Sequence, residues 1–335
     1  MQLSFAIIGC GNIGKRHAEY IQAVGKLIAV CDIDEEKANQ VGNKYNTAIF
    51  FSIEELLNEE KPDIVAVCTP NGLHAKHSIL SLQAGCHVLC EKPMAISSQD
   101  CMEMIDAADK SGRKLFIVKQ NRFNPPVVAV KKLLEEKKLG KIYSVQLNCF
   151  WNRDDLYYKN SWKGTLALDG GILFTQFSHF VDLLYWMIGD IKNVNAIRKN
   201  FSHKDVIEFE DTGIALLEFE NGVIGSINYT INSYGKNMEG SLTIFGEKGT
   251  IKIGGEYLNE LEYQLIDGEK ITGLPVSNKA NDYGSYQGSM SNHDKVYENV
   301  VEVLQHDGQM TASSHDGLKT VEIIEKIYSA SELLD

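Results

Sequence analysis

The chain has 335 residues, 44% apolar and 23% charged, which allows a full core and argues against disorder. Lys plus Arg number 33 against 45 Asp plus Glu, a net charge of -12, so a protein that tracks nucleic-acid phosphates is disfavoured. The length suggests two domains at the usual ~100–200 residues each.

From the N-terminus, apolar runs alternate with amphipathic stretches. Residues 5–8 read as a strand, 13–24 as a helix and 27–31 as a second strand. A helical fragment over 53–57 precedes a third strand over 64–68. A helix over 78–84, a fourth strand over 87–90, a helix over 98–111 and a fifth strand over 115–118 follow. This is the pattern of βαβ units on a parallel sheet with helices on both faces.

The pattern changes after Asn121. Pro125-Pro126 opens a helix running to about Glu136. Over 143–151 the side chains alternate, with Tyr143, Val145, Leu147, Cys149 and Trp151 on one face. Residues 214–219 and 223–229 flank Asn221-Gly222, a hairpin signal. Residues 241–245 and 250–253 flank another glycine-containing turn. Residues 277–293 read as a loop, and helices over 296–304 and 318–327 close the chain. The boundary falls near Arg122, dividing the chain into 1–122 and 123–335.

The seven cysteines lie mostly in apolar runs, such as those ending in Cys31 and Cys68. They read as buried thiols of a reducing compartment, not a disulfide framework. No basic start or cleavage site precedes the first apolar run. The apolar segment 171–189 carries Thr175, Gln176, Ser178, His179 and Asp182, too many polar groups to face lipid. The expectation is a cytoplasmic protein with neither a membrane segment nor a nucleic-acid partner.

Gly9-Cys10-Gly11-Asn12-Ile13-Gly14 follows a strand and opens a helix, the context a dinucleotide-binding turn requires. Gly9 permits the tight turn, Gly11 the approach of a pyrophosphate, and Gly14 close helix–strand packing. The helix start, including Asn12 and Ile13, offers free N–H groups to the anion. Asp32 ends the next strand, about 20 residues on, where a carboxylate binds a ribose diol and repels a 2′-phosphate. NAD is therefore expected over NADP; Asp34 is the second candidate. Thr69-Pro70-Asn71 lies past the third strand, where ligands of such sheets bind. His74 and His77 follow without a cysteine or carboxylate cluster. They read as helix-start and surface histidines, and no metal site is expected. Glu91-Lys92-Pro93 follows the fourth strand. If 171–189 is one helix, Thr175, Ser178, His179 and Asp182 form a polar stripe opposite Phe177, Val181, Leu184 and Ile188. Such a stripe either lines a ligand cavity or bonds neighbouring backbone.

Taken in order, the glycine turn, Asp32, Thr69-Pro70-Asn71, Glu91-Lys92-Pro93 and Gly170-Gly171 with His179 and Asp182 resemble the Gfo/Idh/MocA oxidoreductase family. The resemblance implies an α/β protein. An N-terminal Rossmann dinucleotide-binding domain would precede a C-terminal α+β domain with an open mixed, largely antiparallel sheet for substrate binding and oligomerisation. It implies oxidation or reduction of a secondary alcohol of a sugar or cyclitol with a nicotinamide cofactor, in a homodimer or homotetramer. Lys92 and His179 fall on the catalytic positions. Many members carry an aspartate where this chain has Thr175, and Gln176, one residue off, is no simple substitute.

That departure, with Tyr158-Lys159-Asn160-Ser161-Trp162-Lys163-Gly164 and Lys119-Gln120-Asn121-Arg122, is similar to the branch oxidising C3 of UDP-N-acetylglucosaminuronic acid (UDP-GlcNAcA). The expected role is in the synthesis of surface polysaccharide precursors. His179 would take the hydroxyl proton and Lys92 stabilise the developing charge, or Lys92 would be the base. Thr175 would orient substrate or His179. Arg122 and Lys163 would hold carboxylate or diphosphate, with Gln176 also facing the substrate. Thr69, Asn71, His74, Glu91, Lys92, Gln120 and Trp162 would line the cofactor. The competing readings are a simple sugar or myo-inositol dehydrogenase, an NAD-dependent glycosidase, and a non-enzymatic NAD-binding regulator.

Overall fold

A computed structural model describes residues 2–159, 161–284, 286–331 and 333–334. Two compact units emerge: Met1–Lys119 with His293–Val321, and Gln120–Asn292 with Glu322–Asp335. A single cut near Arg122 misses the return of the chain to the first unit.

The first unit opens with β1 (Ser4–Ile8), α1 (Asn12–Val24), β2 (Lys26–Cys31), α2 (Glu35–Tyr45), β3 (Ala48–Phe50) and α3 (Ile53–Glu59). It continues with β4 (Ile64–Val67), α4 (His74–Gln83), β5 (His87–Cys90), α5 (Ser98–Ser111) and β6 (Leu115–Ile117). The sheet order is β3-β2-β1-β4-β5-β6, all parallel. Every residue of β4 is buried, as a strand covered on both faces must be. The order reverses between β2–β1 and β4, and the carboxyl ends there form the crevice typical of nucleotide sites. The sequence reading missed α2 and β3, so the strand at 64 is the fourth. Asp34 accepts from Lys37 N–H at 3.2 Å and caps α2.

The second unit contains α6 (Pro125–Glu135), β7 (Ile142–Phe150), the single turn α7 (Asp155–Tyr158), α8 (Ile172–Thr175), α9 (Ser178–Ile188) and β8 (Ile191–Lys199). Then come β9 (Thr212–Phe219), β10 (Ile224–Thr230), β11 (Glu239–Gly246), β12 (Gly249–Gly254) and β13 (Glu260–Ile266). Residues expected to form a loop instead hold a small hairpin, β14 (Ala280–Asp282) and β15 (Gln287–Met290); Ser285 lies outside the described residues. The helix α10 (His293–Gln305) belongs to the first unit, α11 (Ser314–Ser329) runs from the first into the second, and β16 (Leu333–Leu334) ends the chain.

The large sheet runs β13-β12-β11-β7-β10-β9-β8-β16. Among the described residues only the β7–β10 and β8–β16 pairs are parallel, so it is mixed and largely antiparallel. The β9–β10 hairpin forms as read, with Gly222 at φ +81°. On one face, Phe177 and Phe180 pack against Trp151 with ring centroids 5.3 and 5.5 Å apart. The other face leaves Ile197, Ile214, Leu216 and Ile224 exposed. The expected single helix over 171–189 is instead α8 and α9, broken at Gln176-Phe177. Its polar stripe is therefore interrupted between Thr175 and Ser178. Among the described residues, no helix is long and apolar enough to cross a membrane. All seven cysteines are buried and none forms a disulfide among the described residues, as their apolar settings suggested.

Candidate active site

In the first unit, backbone geometry shapes the glycine turn. Gly9 sits at φ +98°, and a Cβ there would lie 2.6 Å from the Cys68 carbonyl. A Cβ on Gly14 would lie 2.0 Å from the Gly9 oxygen, so this glycine lets α1 approach the turn. At Gly11 a Cβ would meet nothing within 4 Å. That open space, next to a helix start with no side-chain cap, fits a pyrophosphate. Asn12 is exposed and Ile13 half-buried in the first turn of α1. Asp32 accepts from Cys10 N–H at 2.7 Å and from Asp34 N–H at 2.9 Å, fixing its carboxylate beside the turn.

The histidines after β4 are corrected. Both are buried, not on the surface. His74 reaches the carbonyls of Pro93 at 2.7 Å and Thr69 at 2.8 Å, tying the turn after β4 to the one after β5. Both of its ring nitrogens are thus engaged by protein, which disfavours direct cofactor contact. His77 Nδ1 meets the Thr69 hydroxyl at 3.0 Å. Asn71 is buried in a single 3₁₀ turn.

Glu91 is also an internal anchor. Its Oε2 accepts from Lys92 N–H at 3.0 Å, and its Oε1 meets His17 Nε2 at 2.8 Å and His293 Nε2 at 3.3 Å. Burial alone would raise its pKa, but the two histidines hold it well below the usual carboxylate range. Burial pulls His17 down, against the pull of Glu91. His17 Nδ1 meets the Tyr297 hydroxyl at 2.7 Å, which joins α1 to α10. The ligand atoms of His17, Glu91 and His293 lie within 4.8 Å of one another, a grouping the sequence reading did not foresee. The network fixes the backbone of Lys92, a half-buried residue whose bond to Pro93 is cis.

In the second unit, His179 is buried near the start of α9. Gln120 Nε2 lies 3.2 Å from His179 Nε2 and 3.0 Å from the Ser289 hydroxyl. An amide N–H offered to Nε2 makes that nitrogen the acceptor in this geometry. Gln120, assigned to the cofactor from sequence, thus contacts the histidine. The Thr175 hydroxyl donates to the Asp169 carboxylate and lies 3.2 Å from its carbonyl oxygen. Asp169 also accepts from Gly164 N–H at 2.8 Å.

Two residues expected to hold the substrate have partners within the protein. Arg122 donates from Nε and Nη2 to the two Asp182 oxygens, each at 2.8 Å, with both side chains buried. Its charge is matched inside the protein. Gln176 accepts from Arg153 at 3.1 Å and donates to the Tyr157 hydroxyl at 2.9 Å, so it organises neighbours. Lys163 is half-buried with Nζ 4.6 Å from the Tyr157 ring centroid and 5.4 Å from that of Trp162. Trp162 is half-buried, not a packed core residue. Asn160 lies outside the described residues. Arg153, Tyr157 and Asp169 were missed as site residues, although Asp169 adjoins the glycine pair already singled out.

Residues 3–119 match the oxidoreductase family with NAD-binding Rossmann fold, GFO/IDH/MocA, and residues 127–252 match that family's C-terminal domain. The chain belongs to the Gfo/Idh/MocA oxidoreductase family. It is similar to the WlbA dehydrogenase of Bordetella pertussis, whose structure contains NADH and UDP-GlcNAcA: 34% identity, TM-score 0.88, covering 98% of this chain and 96% of that one. The WlbA dehydrogenase of Chromobacterium violaceum, in complex with the same two molecules, is also 34% identical at TM-score 0.88, covering 98% and 93%. The D-glucoside 3-dehydrogenase of Escherichia coli is 31% identical over 68% of this chain and 67% of its own length. This Gfo/Idh/MocA protein is therefore an NAD-dependent oxidoreductase, with its NAD-binding domain in the first unit.

Proposed function

We propose that this protein oxidises a secondary hydroxyl of a sugar nucleotide, C3 of UDP-GlcNAcA, for the synthesis of surface polysaccharide precursors in the cytoplasm. The observation that carries this reading is the likeness, over nearly the whole chain, to two dehydrogenase structures containing UDP-GlcNAcA. The glycine turn would hold the NAD pyrophosphate at Gly11 and the start of α1, with Asp32 on the ribose diol. NAD supplies a hydride acceptor when bound. His179 takes the hydroxyl proton on Nε2, the nitrogen that Gln120 engages in the absence of substrate. Lys92, its backbone anchored on Glu91, donates to the same oxygen and stabilises negative charge. Thr175, bonded to Asp169, shapes the segment leading to His179. A second copy of the chain would cover the sheet face bearing Ile214 and Leu216, giving a homodimer or homotetramer.

The likeness to the D-glucoside dehydrogenase favours a second reading, a simple sugar dehydrogenase. The roles of Lys92 and His179 are tested by Lys92→Ala and His179→Ala. Each should lower kcat by ~10²–10⁴-fold. NAD affinity, read by calorimetry, should stay within a few-fold, since neither residue holds the adenosine half. Near-normal turnover in either variant removes that residue from the mechanism.

A further inference from the structure

We propose that Arg153, together with Lys163, forms an anion-recognition site that selects substrates bearing a carboxylate or phosphoryl group. The assignment deepens the sugar-nucleotide reading and rests on it. Arg153 is 3% exposed, yet it forms no ion pair among the described residues. Its guanidinium donates only to neutral oxygens: Gln176 Oε1 at 3.1 Å, Asn237 Oδ1 at 3.0 Å, and the carbonyls of Asn152 at 2.5 Å and Gln287 at 3.3 Å. A guanidinium has five N–H donors, and these bonds use four. The remaining donor is on Nη2.

Lys163 is a second cation without an ion pair among the described residues. Arg153 and Lys163 face the same two rings. The Arg153 guanidinium carbon lies 5.2 Å from the Tyr157 centroid and 5.3 Å from that of Tyr286; Lys163 Nζ lies 4.6 and 5.9 Å from them. Burial lowers the Lys163 pKa, Asp169 raises it and Arg153 lowers it further, so the two cations repel. Asp169 itself is bonded to Gly164 N–H and the Thr175 hydroxyl.

A buried guanidinium with only neutral partners, beside a half-buried ammonium that Asp169 alone offsets, is costly without a further anion. The aromatic faces relieve part of that cost. An incoming carboxylate or phosphate oxygen would relieve the rest through charge-assisted hydrogen bonds. Space for a ligand exists beside Arg153: with Tyr157 and Tyr286 it lines a pocket of about 420 Å³ whose lining also holds Lys236, Asp154 and Glu256, while Lys163 meets the same two rings from outside that lining. Gln176, by bonding both Arg153 and Tyr157, links this pocket to the segment carrying Thr175 and His179. A neutral sugar adds no charge to offset Arg153, so the site is a specificity determinant for acidic or phosphorylated substrates.

The test uses the full chain loaded with NADH, as wild type, Lys163→Gln, Lys163→Arg and Arg153→Lys. Calorimetry measures Kd for UDP-GlcNAcA, UDP-GlcNAc, UDP and glucuronate, and kcat and KM are measured with NAD wherever turnover occurs. Lys163→Gln should weaken anionic ligands roughly tenfold or more, with KM rising more than kcat falls. Lys163→Arg should restore most of the affinity. Arg153→Lys keeps the charge but loses the fork, and should weaken the same ligands. If the pair meets the carboxylate, the preference for UDP-GlcNAcA over UDP-GlcNAc shrinks. If it meets a phosphoryl group, both weaken alike, together with UDP. Either pattern supports the site. Unchanged Kd for every anion in both Lys163→Gln and Arg153→Lys overturns it. Should the wild type turn over neither UDP-sugar, the substrate reading fails by itself. The site is then judged by UDP and glucuronate binding, and binding of neither overturns it too.

Discussion

Arg122 and Asp182 are joined by two 2.8 Å hydrogen bonds, with their side chains 1% and 2% exposed. The guanidinium also lies 4.9 Å from the Trp186 ring centroid. This is an internal bidentate pair, although the motif position had suggested a substrate cation. Arg122→Met should therefore destabilise the fold by about 3–5 kcal/mol, because it leaves Asp182 buried and unpaired. Arg122→Met with Asp182→Leu should recover most of that loss in chemical denaturation. It should also keep substrate KM within a few-fold. A large KM increase in the double variant would return Arg122 to the substrate.

The glycines of the dinucleotide turn separate folding from binding. Gly14→Ala places a methyl 2.0 Å from the Gly9 oxygen, so thermal stability should fall sharply. Gly11→Ala enters open space at φ -69°, a conformation alanine adopts freely. Its melting temperature without cofactor should match the wild type, while NAD affinity should fall roughly tenfold or more as the methyl blocks the pyrophosphate. Equal NAD affinity in Gly11→Ala would show that the pyrophosphate lies elsewhere.

These contrasts mark what sequence could show. Continuous apolar runs such as Ile64–Val67 announce buried strands because both faces must be covered. The three-residue β3 and the polar α2 carry too little periodicity to be read. Edge strand β13 has mixed exposure and no clean alternation. The conformational roles of Gly9 and Gly14 were legible because the strand–turn–helix motif itself demands them. The buried settings of Arg122 and Arg153 were not legible because most of their partners lie far along the chain. Asp182 answers one charge, while Gln176, Asn237 and Gln287 surround the other.

Glu210 gives a pH signature. Burial pushes its carboxyl up to about 7, against the opposing effects of the Tyr328 hydroxyl at 2.8 Å and Arg198 at 3.3 Å. The folded state then holds a proton that the unfolded chain releases near its ordinary value of 4.5. The stability this proton contributes is full below about pH 4.5 and is lost as pH rises through about 7. The window corresponds to on the order of 3 kcal/mol. In urea titrations from pH 5 to 8, wild-type stability should decline relative to Glu210→Gln, which cannot titrate. Parallel pH profiles for the two proteins would contradict a raised Glu210.

Steady-state NADH formation with four compounds tests the central claim: UDP-GlcNAcA, UDP-GlcNAc, glucose and myo-inositol, each with the 3-keto product or NADH removed by a coupled reaction. Coupling is needed because oxidation of an alcohol by NAD is uphill near neutral pH. The expected result is the highest kcat/KM for UDP-GlcNAcA, a lower value for UDP-GlcNAc, and the lowest for the two neutral compounds. Faster turnover of glucose or myo-inositol than of either UDP-sugar would contradict it and make the protein a simple sugar or cyclitol dehydrogenase.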